Sequence, residues 1–150
     1  MQLIKDQQII DNTWQYIADD DELRAGDISV SFARWQCDKQ QLLAHEGKLG
    51  VRMSSTDSAD ELAEDLEKLQ LIELDFPDFA DGRLFSQAWL LRGRYHYQGE
   101  IRAIGHYIPD QVFYLARVGV NAFSPKVCEE LPDIMNKLND FTVNYQRSIN

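Results

Sequence analysis

Only two cysteines occur in the 150 residues, Cys37 and Cys128, far apart in the chain. They leave no material for a disulfide framework and no CxxC pair for metal binding or thiol exchange; both read as ordinary buried or partly buried thiols. No GxGxxG, no P-loop and no GxSxG is present, so dinucleotide, nucleotide and serine-hydrolase signatures are missing and no cofactor is indicated by motif. His45, His96 and His106 stand at no metal-ligand spacing from one another or from the cysteines, and no metal is expected. No apolar run approaches the roughly 18 residues of a membrane span, and nothing resembles a signal peptide. A cytoplasmic protein with no membrane partner is therefore expected. Basic residues are scarce too, 15 against 25 acidic for a formal charge of −10. Nucleic acid, which is bound by clustered Lys and Arg, is excluded as an expected partner, whereas docking to a basic protein surface is favoured.

What is present describes one ordinary globular domain, 1–150, with 44% hydrophobic and 27% charged residues. Residues 1–18 alternate loosely, predicting a small hairpin that turns near Lys5-Asp6-Gln7 or Asp11-Asn12. A charged loop, 18–27, precedes a strand in which Ile28, Val30 and Phe32 alternate with Ser29 and Ser31. A short helix fits 38–46 and a second strand 49–55. Ser58 and Glu61 form an S-x-x-E capping box, and Ala59, Leu62, Ala63, Leu66 and Leu69 recur at helical spacing, predicting a helix from Ser58 through Leu69. Its acidic outer face reads as solvated surface. Strand 71–76, helix 82–95, strand 100–106, helix 109–118, strand 121–125 and a helix from about Pro132 follow. This alternation predicts an α/β fold of βα units with a mainly parallel sheet and right-handed crossovers, either open and three-layered or curled as a partial barrel.

Parallel strands are covered on both faces and usually read as apolar runs. Three successive strands break that rule near their middles, with Arg52, Glu73 and Arg102. Aligned by their starts, the three fall at one level, and an Arg–Glu–Arg row neutralises itself as buried charge must. Two readings stand side by side: a salt-bridge row that fixes register, or the floor of an anion site. Ligands of parallel α/β folds bind at the strand carboxyl ends, where Ser54, Asp75 and His106 are expected. For His106 a hydrogen-bonded structural imidazole is the commoner role.

The stretch LDFPDFADGRLFSQA, 74–88, is the loop that leaves such a strand end and starts a helix. Asp81 suits an N-cap, Gly82 allows close backbone approach, and Arg83 stands in the first turn, against the helix dipole. Asp75, Asp78 or a bound anion would compensate Arg83. Asp75, Asp78 and Asp81 together would also suit Mg²⁺, although capping and turn chemistry already account for Asp78 and Asp81.

Residues 74–95 and 99–123 together resemble a bacterial family of small proteins of unknown function, domain-of-unknown-function family 934, usually described as a probable oxidoreductase involved in sulfite reduction. The family pattern FP-x-F-x-DGR-x-x-S-x-A is matched at Phe76, Pro77, Phe79, Asp81, Gly82, Arg83, Ser86 and Ala88, followed by Leu91-Arg92. Then G-E-x-RA-x-G is matched at Gly99, Glu100, Arg102, Ala103 and Gly105, and DQ at Asp110-Gln111. His106 stands where the family usually has aspartate, and RVGVNAF replaces a cysteine-containing segment. The resemblance implies a process, assimilatory sulfite reduction, and a genomic neighbour, the reductase hemoprotein. The expectation is an accessory protein that binds the reductase or a small oxyanion through Arg83, Arg102 and Arg52, with Asp81, Gly82, Asp110 and Gln111 at the same strand ends. The alternative is an enzyme, such as a small cofactor-dependent oxidoreductase, acting on an anionic substrate with Asp75 or His106 as acid–base group.

Overall fold

The computed structural model describes residues 2–77, 82–107, 109–125 and 130–139. The chain opens with a hairpin of β1 (Gln2–Lys5) and β2 (Gln8–Asp11). Its two-residue turn is Asp6-Gln7, both at positive φ (50° and 66°), the backbone that matches the twist of paired strands. Then follow β3 (Gln15–Tyr16), β4 (Ile28–Ser31), α1 (Phe32–Cys37), α2 (Lys39–Leu43), β5 (Leu49–Met53), β6 (Leu71–Phe76) and α3 (Arg83–Trp89). The last elements are β7 (Glu100–Gly105), α4 (Val112–Arg117), β8 (Ala122–Phe123) and α5 (131–139).

All eight strands form one sheet in the order β2-β1-β8-β7-β6-β5-β4-β3. β3 through β8 run parallel, while β1 is antiparallel to β2 and to β8. The two edge strands, β2 and β3, are consecutive in sequence and joined only by residues 12–14. Asp11 and Gln15 can lie at most about 14 Å apart at ~3.6 Å per residue. A flat eight-stranded sheet would separate its edges by about 34 Å at ~4.8 Å per strand. The sheet therefore curls into a half-barrel.

The two faces differ sharply. Outward, Ile28, Val30, Val51, Met53, Ile72, Leu74, Phe76, Ile101, Ala103 and Phe123 join Trp35, Leu42, Leu84, Ala88, Leu91, Val112, Leu115 and Ile134 in one apolar core under the helices. Inward, Ser29, Gly50, Leu71 and Glu100 align across four strands, and Ser31, Arg52, Glu73, Arg102, Ala122 and Lys5 align across six. The Arg52–Glu73–Arg102 row expected from strand alignment is thus present in register.

Several elements depart from expectation. Phe32 does not continue β4: Ser31 accepts a hydrogen bond from the Arg34 N–H and starts a helix there. The helix expected from Ser58 through Leu69 is two 3₁₀ turns, Ala59–Leu62 and Leu66–Lys68. Asp57–Glu61, Asp60–Glu64 and Glu61–Asp65 would be like-charge pairs at i,i+4 on an α-helix, which weakens it. Ala59, Leu62, Leu66 and Leu69 remain buried all the same, and Asp65 turns inward. Its carboxylate accepts from Trp35 Nε1 at 3.0 Å and pairs with Lys39 Nζ at 2.7 Å. Cys37, expected to be at least partly buried, is exposed; Cys128 lies outside the described residues.

Arg92 closes the amino-end side of the sheet. It donates to the carbonyls of Gly119 (2.9 Å), Tyr97 (2.7 Å) and Gly99 (2.7 Å). Its Cγ occupies the space that a Cβ at Gly119 would need, and Gly119 sits at φ 108°.

Burial alone would raise the Asp65 pKa, but hydrogen bonds from Lys39 and Trp35 outweigh it and hold the carboxyl below its ordinary value. Its contribution is then present above about pH 4, the unfolded value, and is lost as pH falls through the lower folded value. Asp65→Asn should cost about 2–3 kcal/mol at neutral pH. Urea denaturation should show the gap to wild type shrinking in strong acid.

Candidate functional site

The inner face is lined with charge, and its arginines are already matched. Glu73 accepts from Arg52 Nε and Nη2, both at 3.3 Å. On the other face of that guanidinium lies the Tyr16 ring, 3.7 Å from Arg52 Cζ to the centroid, close enough for a cation–π contact. Two strands away, Arg102, only 2% exposed, pairs with Glu100 at 2.6 Å. Lys5 meets the other Glu100 oxygen at 3.3 Å. Asn12, in the short connection between the sheet edges, accepts from Arg102 Nη1 at 3.1 Å and from the Trp14 N–H at 3.0 Å. The segment from Asn12 to Tyr16 therefore crosses the concave side and touches both arginines.

At the carboxyl ends of β3 to β6 the concavity opens into a pocket of about 260 Å³. Tyr16, Asp19, Ser31, Phe32, Ala33, Arg52, Ser54, Asp57 and Asp75 line it. Ser31 Oγ donates to Asp19 at 2.6 Å, and Asp57 accepts from the Ser54 N–H and Oγ at 2.8 and 3.0 Å. Asp75, half-buried one step above Glu73 on the same face, makes no hydrogen bond or ion pair with any described residue. Arg52 Nη1 likewise has no hydrogen-bond partner among the described residues, since Glu73 takes the other edge. Burial raises the Tyr16 phenol above its ordinary pKa; Arg52 opposes this, while Asp19, Glu73 and Asp75 reinforce it.

The structure thus brings Arg52, Asp75 and Ser54 into one pocket. It places Arg102 in the buried pairing below and two strands across. Arg83 donates from Nη2 to Ser55 Oγ at 3.1 Å, beside the strand end that carries Ser54. His106 is exposed beyond the end of β7, its N–H donating to the Phe76 carbonyl at 2.8 Å. Asp110 is exposed and pairs with Lys137 at 3.2 Å, and Gln111 is half-buried at the start of α4. Asp78 and Asp81 lie outside the described residues. Among the described residues no three His, Cys, Asp or Glu side chains gather as a metal site. Tyr16, Asp19, Ser31 and Asp57 were not singled out as site residues by sequence reasoning. Asp19 sits in an acidic run that reads as loop, and the inward face of Tyr16 follows only from the curl of the sheet.

Residues 50–150 match the family described as bacterial protein of unknown function (DUF934). The chain belongs to this family. No curated protein matches it in sequence. The matched region begins at β5 and so includes Arg52, Glu73, Asp75 and Arg102, while Tyr16, Asp19 and Ser31 lie before it.

Two glycines of the family pattern have different physical roles. Gly105 stands at φ 87°, and a Cβ there would lie 2.5 Å from the Phe76 carbonyl oxygen and 2.6 Å from Asp75 Oδ1. Gly82 has φ −86°, and a Cβ would meet none of the described residues within 4 Å. Gly105 is thus a position of close backbone approach. Gly105→Ala should destabilise by about 2–4 kcal/mol through backbone strain and overlap, whereas Gly82→Ala should stay within about 1 kcal/mol. Denaturant titration of both variants measures the contrast.

Proposed function

We propose that the chain is an accessory protein of assimilatory sulfite reduction, acting by docking the carboxyl-end face of its half-barrel on a basic partner surface. The process comes from the family resemblance, which points to the reductase hemoprotein as partner. The observation that supports docking is the charge balance at this face. Arg52 and Arg102 are matched by Glu73 and Glu100. Asp19, Asp57 and Asp75 line the pocket, and Asp20, Asp21 and Glu22 stand exposed in the loop that carries Asp19. A free oxyanion gains little where each guanidinium already holds a carboxylate and further carboxylates stand around it. A basic protein surface is complementary to the same arrangement.

One observation favours a catalytic reading instead. Asp75 is a half-buried carboxylate with no partner among the described residues, at a strand carboxyl end, where barrel enzymes place their acid–base groups. Under that reading Asp75 would move a proton on a small substrate, with Arg52 and the serine hydroxyls orienting it.

Docking is tested by fluorescence anisotropy of the labelled protein against purified reductase hemoprotein. Association should weaken steeply between about 0.05 and 0.3 M salt as the Debye length contracts. The charge reversal Asp20→Lys with Asp21→Lys should weaken it about tenfold or more at low salt. Absence of association at low salt, or an affinity that salt leaves unmoved, would remove the docking reading.

A further inference from the structure

We infer that the pocket at the carboxyl ends of β3 to β6 binds a small zwitterion, of the chemical class of a free α-amino acid. The inference rests on the reading of this face as functional, and it deepens that reading by assigning a ligand class to the pocket.

Three features converge. The first is size: about 260 Å³ lies just below the roughly 300–1,000 Å³ of pockets for drug-sized ligands, so the occupant has few heavy atoms. The second is a positioned cation with spare capacity. Glu73 holds Arg52 by Nε and Nη2 and Tyr16 stacks on its face, which fixes the guanidinium plane while Nη1 keeps its protons uncommitted. The outer end of the fork, one N–H of Nη1 beside the second N–H of Nη2, suits a carboxylate, while the Ser31 and Ser54 hydroxyls give their protons to Asp19 and Asp57 and leave their oxygens to accept from an ammonium group.

The third is the opposite charge in the same space. Asp75 has no partner among the described residues, and Asp19 is engaged through one oxygen only, by Ser31. A half-buried carboxylate without a counter-charge is unfavourable, and an ammonium group relieves it. A simple anion meets three lining carboxylates; a simple cation meets the stacked arginine. A molecule bearing both charges a few ångströms apart satisfies both ends. Gly105 supports the arrangement, since any side chain there would press on Asp75 Oδ1.

The experiment uses the full chain and needs no reductase, so its failure is separate from failure of the docking reading. Each L-α-amino acid is screened singly by thermal shift and the best is titrated calorimetrically, beside its amide, its N-acetyl derivative and sodium sulfite. The inference predicts saturable binding of at least one amino acid, with the amide and the N-acetyl form each bound about tenfold or more weakly, as loss of one charged hydrogen-bonded contact implies. Asp75→Asn, which leaves the half-buried Arg52–Glu73 pair intact, should weaken binding to a similar degree. Arg52→Lys serves as the companion variant, because Arg52→Ala would strand Glu73. Binding of no amino acid, binding of a blocked form as tightly as its parent, or sulfite binding that equals or exceeds them would overturn it.

Discussion

Residues 12–14 impose the constraint from which the rest follows. Three residues join the two edges of an eight-stranded sheet, and a flat sheet cannot satisfy so short a connection. Curling gives the sheet an inside, and among the described residues no helix layer covers that inside. Polar and charged side chains therefore face one another there, and those most deeply buried fold stably because each finds a partner. Arg52 has Glu73, Arg102 has Glu100 and Asn12, and Lys5 shares Glu100. The connection contributes to that pairing as well as to the shape, through Asn12 and the Tyr16 ring just beyond it.

This arrangement changes what the arginines can do. As isolated cations they would be an anion site. Paired as they are, they are first of all the neutralising half of a buried network, and breaking one partner leaves a stranded charge that costs several times what an exposed ion pair contributes. Of these two, Arg52, at the upper, open end, combines a fixed plane with a nitrogen that has no hydrogen-bond partner among the described residues and 27% side-chain exposure. Around that opening the balance of charge is acidic. The same few residues thereby carry the docking proposal, through their field, and the ligand proposal, through their hydrogen-bonding capacity.

Much of this was legible before the fold. Counting from strand starts put Arg52, Glu73 and Arg102 on one level because parallel strands in βα units begin at a common edge, and period-two geometry then put Asp75 above Glu73. The hairpin turn at Asp6-Gln7 was one of two expected places. Other features depend on contacts between distant segments, and no local pattern reports them. Ser58 does start a turn, its hydroxyl accepting from the Asp60 N–H, yet like charges four apart weaken a continuous helix and 3₁₀ turns form instead. Phe32 keeps the alternation of β4 by residue type, while Ser31 ends the strand by capping. Arg92, a match to the family pattern, is a three-carbonyl clamp, which its place on a helix does not disclose. Gly105 breaks the alternation that would have aimed His106 inward. Asp19 and Tyr16 enter the pocket only once the edges meet.

The most direct test of the central claim, that this half-barrel serves the sulfite reduction step, is growth of a deletion strain on sulfate, sulfite or sulfide as sole sulfur source. The account predicts failure on sulfate and on sulfite, with growth restored by sulfide. Normal growth on all three would contradict it.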